Sequence, residues 1–454
     1  GVESVSVVGR PTVAIVSTGD ELVRPDGSLD HGRGQIYDVN SYTIASAVRE
    51  AGGDPRLYPH VGDDMDEMER ILETAAEECD LVLSSGSTSA SAVDVIYRVI
   101  EDRGELLLHG VSVKPGKPML VGRLGDSAFI GLPGFPVSAL TIFRIFVSDA
   151  IRRAASLPEP RTATVTGRMT VEERYSEGRM RFLPVGLVTD GDGDTLVYPV
   201  DRGSGATTSL VEADGVVEVE ADTAYLSKDE TVVVKRFSPD VRTPTLLGIG
   251  EDDPALSRLL DHLDRPRYLG EGTREGLRWL RDDVPDVAVA SGPLSWEPQG
   301  ASIGSWRRDW GLVVPIGNPA GISGLEELLT GDLRFANRPR NSGLRASLDE
   351  AMENLDSGVD SGSGSVTKRV EGYEFTVRAH ESPARRVASG DVDVGLGLRA
   401  TAESFDLEYV PVGTETVTVY VNPARRDKPG VRALESAIHD RLDVVLGGLP
   451  GYER

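Results

Sequence analysis

Residues 114–138 read KPGKPMLVGRLGDSAFIGLPGFPVS. Lys114 and Lys117 stand three residues apart in a loop stiffened by Pro115 and Pro118, while Gly116 lets the backbone approach a ligand closely. An apolar run follows and reads as two short strands. The chain then breaks at Pro133-Gly134 and starts a helix with Pro136 near its first turn. A lysine loop and a helix N-terminus joined by buried strands suit a phosphate or another oxyanion. The plain alternative is a proline-rich surface turn with two solvated charges. Against it stands the rarity of lysine here, since the others are only Lys228, Lys235, Lys368 and Lys428.

Working outward, VAIVST (13–18) is a continuous apolar strand of the buried parallel kind, and it runs into TGDEL. Asp38 is placed to cap a helix through Arg49, which Gly52-Gly53 ends. RLYPHVG reads as a second strand, Asp63-Asp64 opens a helix to Cys79, and LVLSSGS (81–87) is a third strand. A further helix is expected from about Asp94 to Arg103. Strands and helices alternating at this spacing imply a doubly wound sheet. Its strand ends deliver Thr18, Gly19, Asp20 and Glu21, then Ser85, Gly86, Ser87 and Asp94, then the two lysines, then Pro133, Gly134 and Ser138. Ligands in open α/β sheets gather at that edge. Small hydroxyl residues and glycines leave room for backbone amides to grip phosphate, and carboxylates among them suit a bridging Mg²⁺.

The 454 residues give room for roughly three domains at ~150 residues each. Seventy-three acidic against 48 basic residues leave a net charge of −25, which repels nucleic acid and acidic membranes. The acidic excess, with Arg in place of Lys, resembles the composition of proteins from salt-loving organisms. No run of 18 apolar residues is present, so no membrane span is expected, and the acidic charge leads to the expectation of neither nucleic acid nor membrane as a partner. The lone Cys79 and the lack of a basic-apolar leader lead to the expectation of a reducing cytoplasm without export. Because Gly1 rather than Met stands first, an N-terminal portion is expected to precede it. The six histidines have no zinc-like spacing with one another or with Cys79.

Five ordered motifs carry a resemblance: TGDEL (18–22), GQIYDVNS (34–41), SSGSTS (84–89) with Asp94, HGVSVKPGKP (109–118) and GLPGFPVSAL (131–140). Together they resemble the molybdopterin molybdotransferases of the bacterial MoeA and gephyrin E-domain type, over about residues 11 to 238. The resemblance implies a three-layer α/β/α molybdopterin-binding domain at 1–157 and a small all-β domain at 158–240. By position it implies that Asp94 and Asp64 hold a divalent cation. Glu21 matches another acidic residue important in the family. Lys114 and Lys117 would form the basic catalytic loop, and Ser138 would belong to a molybdate pocket. Two departures stand out: Gly86-Ser87 replaces the usual Gly-Gly, and Phe135 stands where Asn is common. In the β domain, Ser209 and either Arg179 or Arg181 fall near residues implied in molybdate handling. TDGDGDT (189–195) lacks the glutamate of a calcium loop and reads as a hairpin turn.

From TPTLLGIGEDDPAL onward a second strand-helix alternation begins, and residues 241–454 resemble a two-lobed α/β periplasmic-binding-protein-like domain. Asn341, Ser342 and Gly343 precede a helix among Arg338, Arg340 and Arg345, an arrangement that fits either an anion or an ordinary helix cap. DSGVDSGSGSV (356–366) reads as a mobile surface loop.

The activity so implied is insertion of molybdate (or tungstate) into adenylylated molybdopterin with release of AMP, assisted by Mg²⁺. Two further family domains, absent here, would complete a site at a homodimer interface. A related adenylyltransferase, or a non-catalytic oxyanion or pterin sensor centred on the last domain, are the alternatives.

Overall fold

The computed structural model describes residues 3–30, 34–62, 64–86, 90–159, 163–200, 211–294, 296–330, 333–356 and 366–454. Two compact units are present, one of residues 1–187 with 197–241 and one of 242–454 with the short stretch 188–196. Residues 357–365 of the loop expected at 356–366 lie outside the described residues.

The first unit begins with β1 (Thr12–Ser17), whose TVAIVS sequence is buried from Val13 onward. Helix α1 (Val39–Ala51) starts where the Asp38 carboxylate accepts the Ser41 amide, and it ends at Gly52 with φ 95°. Its Ile44, Ala45, Val48 and Ala51 form the buried stripe. β2 (Asp54–Leu57) is shorter than the apolar letters predict. In α2 (Met65–Glu78), Asp64 is the N-cap and Met68, Ile71, Leu72 and Ala75 repeat at helical spacing on the buried face. Met68, Ile71 and Leu72, buried so, contribute about 1.5–3 kcal/mol each. Cys79 at the end of that helix is buried and free.

β3 (Leu81–Ser85) leads to α3 (Ala90–Arg103), then β4 (Gly104–His109), β5 (Val113–Lys114), β6 (Leu120–Leu124) and β7 (Ser127–Leu132). The six-stranded sheet has the order β2-β1-β3-β7-β6-β4. Its first four strands are parallel, while β6 and β4 add an antiparallel edge. The edge strand GELLLH escapes a reading by pattern because Leu107 and Leu108 face outward as exposed residues. After β7, α4 (Pro136–Ile142) passes through a π-helical turn, Phe143–Val147, into α5 (Ser148–Ala154). One core lies between the sheet and α1, α4 and α5, where Val13, Ile15 and Ile142 meet, and another holds Val16, Met68 and Ile96 against α2 and α3. Three layers result.

A small barrel follows, built from β8 (Thr164–Met169), β9 (Met180–Thr189), β10 (Thr195–Pro199), β11 (Gly215–Val219) and β12 (Thr231–Arg236). Its order is β10-β8-β12-β11-β9, closed by a β9–β10 pairing, with β5 added in parallel to β9. In β12 the alternation is clean: Val232 and Val234 are buried while Val233 is exposed. The Asp190 side chain accepts the amides of Asp192 and Asp194, so TDGDGDT is a hairpin turn.

The second unit carries β13 (Leu246–Gly250), α6 (Pro254–Leu260), β14 (Pro266–Leu269), α7 (Thr273–Arg281) and β15 (Val287–Ala290). Then come the long β16 (Ala301–Val314), β17 (Phe335–Ala336), α8 (Gly343–Asp356), α9 (Ser382–Ala388), β18 (Val394–Leu398), α10 (Arg399–Ser404), β19 (Glu408–Val421) and α11 (Pro429–Gly447). The sheet order is β14-β13-β15-β19-β16-β18-β17. β16 and β19, fourteen residues each, run antiparallel through the whole unit. One part of this pair supplies Trp306, Val417 and Val419 to the first lobe's core, and another supplies Trp310, Leu312 and Val410 to the second. Among the described residues no helix is long and apolar enough to cross a membrane.

Candidate functional site

The lysine loop owes its position to β5. Val113 and Lys114 pair in parallel with Met180 and Arg181, which brings the loop beside the start of β9. Across from it lies the Pro133-Gly134-Phe135 turn into α4. Between them is a cavity of ≈ 650 Å³ lined by Lys114, Lys117, Pro133, Phe135, Ser138, Arg179 and Arg181, among others.

Lys114 bonds to Glu177, which also receives Arg179. The hydrogen bond from Lys114, aided by Arg179, holds the Glu177 carboxyl below its ordinary range. Tyr175 lies between two cations, with the Lys114 Nζ and the Arg181 guanidinium each 5.3 Å from its ring centre. Arg181 is buried and donates to Glu173 Oε2 at 3.1 Å. The Lys117 side chain is exposed and has no hydrogen bond or ion pair among the described residues, while the Lys117 carbonyl accepts the Val111 amide at 3.0 Å. Four cations thus share this wall with two carboxylates, so the cavity favours an anion. Ser138 is buried in the first turn of α4, and Phe135 is 51% exposed. The Lys114–Pro115 peptide bond is cis.

Polar residues gather at the C-terminal edge of the sheet, and Asn40 links them to the turn that lines this cavity. Asn40 donates to Ser85 Oγ at 2.8 Å and to the Gly134 carbonyl at 2.7 Å, tying the end of β3 to the turn before α4. Ser17 donates to Asp38 and meets Ser41 Oγ at 2.6 Å. Gly86 has φ 121°, and a Cβ there would collide with the Thr18 carbonyl, so close strand ends require glycine. Thr18 Oγ1 is buried without a hydrogen-bond partner among the described residues. Gly19 is buried at φ 142°, while Asp20 and Glu21 are exposed in the turn after β1.

The candidate metal ligands fare differently. Asp64 is exposed and spends a carboxylate oxygen on the Glu67 amide at 3.0 Å, as a helix cap. Asp94 belongs to α3, but its side chain, like all of Ser87 and Ser209, lies outside the described residues. Among the described residues no group of three or more His, Cys, Asp or Glu side chains is arranged to hold a metal ion.

Sequence reasoning passed over Asn40, Tyr175, Glu173 and Glu177. Asn40 carried a usable signal, since it follows the Asp38 cap inside GQIYDVNS. The other three did not, because only the barrel's closure brings them to the lysine loop. In the second unit, Ser342 Oγ and the Gly343 amide do meet a carboxylate, that of Glu251. The nearby arginines are engaged as well: Arg340 with Glu374, Arg345 with Asp349, and buried Arg338 with the Val377 carbonyl.

Residues 14–153 match the family described as "Probable molybdopterin binding domain", and residues 166–237 match the MoeA C-terminal region (domain IV). The first half is MoeA-like. Residues 296–439 match the PBP superfamily domain, so a mixed α/β chain joins a molybdopterin-binding domain, a MoeA C-terminal domain and a PBP-like domain. Molybdopterin molybdenumtransferase 2 of Mycobacterium tuberculosis is 32% identical over 49% of this chain and 55% of its own. The molybdopterin molybdenumtransferase of Haemophilus influenzae is 28% identical over 52% and 59%. A crystal structure of the molybdopterin biosynthesis MoeA protein from Pyrococcus horikosii aligns at 35% identity over 50% of this chain and 55% of that one, with a TM-score of 0.44. The chain spans about half the length of the curated relatives it matches. The MoeA-like half therefore includes both the cationic cavity and the strand-end network.

Proposed function

We propose that the MoeA-like half acts in molybdenum cofactor assembly. It would bind adenylylated molybdopterin, release AMP and place molybdate (or tungstate) on the dithiolene. The observation that carries this reading is the ≈ 650 Å³ cavity, where Lys114, Lys117, Arg179 and Arg181 face Ser138. In a protein of net charge −25, such a wall is a local exception suited to a phosphorylated ligand. Lys114 and Lys117 neutralise phosphate or oxyanion charge, and Ser138 supplies a hydroxyl at the start of α4. Thr18, Ser85 and Gly86 form the strand-end rim for the nucleotide or pterin, and the Thr18 hydroxyl, without a partner among the described residues, is a ready donor there.

A divalent cation, when bound, would neutralise charge on the cleaved phosphoanhydride. Asp94 is its proposed ligand. No step is assigned to Asp64 through a metal, since that carboxylate caps α2. Two-fold assembly with a second copy, a reducing cytoplasmic setting and the domain limits 1–157, 158–240 and 241–454 are parts of the same proposal.

The deciding experiment incubates the chain with adenylylated molybdopterin, molybdate and Mg²⁺, and follows AMP chromatographically. Asp94→Ala is expected to abolish metal-dependent AMP release with an unchanged circular dichroism spectrum. Unchanged turnover removes Asp94 from the mechanism. Consumption of ATP with unmodified molybdopterin, in place of adenylylated pterin, moves the reading to an adenylyltransferase.

A further inference from the structure

We propose that the anion seat of the two-lobed unit is filled from within: the Glu251 carboxylate occupies it and binds the lobes together in place of a free oxyanion.

Glu251 follows β13 directly, at the C-terminal edge where open sheets collect ligands. It is 1% exposed. One carboxylate oxygen accepts the Gly343 amide at 2.7 Å, the Thr273 amide at 3.2 Å and the Thr273 hydroxyl at 3.1 Å. The other accepts Ser342 Oγ at 2.8 Å and lies 3.7 Å from the Arg308 guanidinium. Gly343 and Thr273 are the first residues of α8 and α7, so two helix N-termini converge on one carboxylate. A bound oxyanion would need these same hydrogens. A groove of ≈ 300 Å³ runs past Thr273, Ser342 and Gly343, yet their donors are already spent on Glu251.

The donors come from both lobes. Leu277 and Leu280 of α7 pack on Ala288 and Ala290, whereas Leu344 and Leu348 of α8 pack with Trp310 and Leu396. Near the carboxylate the two parts touch backbone to backbone. A Cβ on Gly292 would collide with the Gly343 carbonyl, and one on Gly343 with the Ser291 carbonyl. The Arg274 amide reaches the Asn341 carbonyl at 3.1 Å, and Asn341 Nδ2 reaches the Glu271 carbonyl at 2.5 Å.

Charge points the same way. Arg308 is 1% exposed and pairs with Asp253 Oδ2 at 2.8 Å and Glu415 Oε1 at 2.6 Å. Three carboxylates, those of Glu251, Asp253 and Glu415, already surround that guanidinium. A fourth negative group at that guanidinium would meet the repulsion of all three.

The test is hydrogen–deuterium exchange on the full chain, read at the amides of Thr273 and Gly343. In the wild type, excess sodium formate, sulfate or molybdate is expected to leave both unchanged. In Glu251→Ala both should exchange at least ~10-fold faster, as loss of a charge-assisted hydrogen bond allows. Added formate should then restore protection by refilling the seat. The variant is expected to fold, since Arg308 retains Asp253 and Glu415. Should it not, Ser342→Ala decides: faster exchange at Gly343 supports the brace, and no change overturns it. Protection gained by the wild type from molybdate or sulfate at these amides would overturn the proposal, as would unchanged exchange in Glu251→Ala.

Discussion

The lysine cavity of the MoeA-like half and the Glu251 seat of the PBP-like half begin from similar letters: basic residues beside the first turn of a helix. In the first, Glu177 and Glu173 partner the cations from the side, and Lys117 stays exposed at a cavity of ≈ 650 Å³. In the second, a carboxylate from the end of β13 goes straight onto the helix N-termini, and the guanidinium behind it is fully buried. The difference lies in whether the fold brings an acid of its own onto the helix N-terminus. Where it does not, an anion from outside has a place to bind; where it does, the same donors become part of the core.

The sharpest way to break this contrast is to remove one cation from each region. Arg308→Met strands three buried carboxylates and is expected to cost about 3–5 kcal/mol in chemical denaturation. Lys114→Met, at a half-exposed ion pair, should cost less than about 1 kcal/mol. Equal losses would mean that the two regions are alike. Next in size, Lys117→Ala should lower AMP release by about 100-fold at an unchanged melting temperature, in line with removing one charge-stabilising donor. Full activity would take this lysine out of the site.

A pH titration sharpens the comparison from the second unit. Burial pushes the Asp252 carboxyl up, but hydrogen bonds from His380 and its charge outweigh this and hold it at about 2. A depressed carboxyl stabilises the fold fully above its unfolded value near 4 and loses that contribution as pH falls towards 2. Asp252→Asn should therefore be less stable by about 2 kcal/mol at neutral pH. The gap from wild type should close between pH 4 and pH 2, and a gap that persists at pH 2 would show a packing effect instead. Smallest of all, Asp64→Ala should cost about 1 kcal/mol as a lost helix cap and leave AMP release untouched. Loss of metal-dependent release would return Asp64 to the ligand set.

Much of the first unit could be read locally. The Asp38 and Asp64 caps, the Gly52 stop and the buried run of β1 are set by neighbours within a few residues, where spacing and side-chain type suffice. The edge strand Gly104–His109 was missed because its leucines lie partly outside the core. Asn40 could be placed on its helix, but its bonds to Ser85 and Gly134 span 45 and 94 residues. The arginines at 338, 340 and 345 gave an anion signal in which either reading was possible.

By itself the order of residues determined the strand-helix alternation, the lysine pair in its proline-stiffened loop and the five motifs that resemble the molybdotransferases. Periodicity, capping and motif order are properties of the chain alone. Only the tertiary structure decided that β5 joins β9 and so lines Lys114 up with Arg181, and that Glu251 reaches an amide 92 residues away. Those contacts depend on which surfaces pack together. Helix-terminal amides bind whichever carboxylate the packing delivers, and no local pattern in the sequence records that delivery.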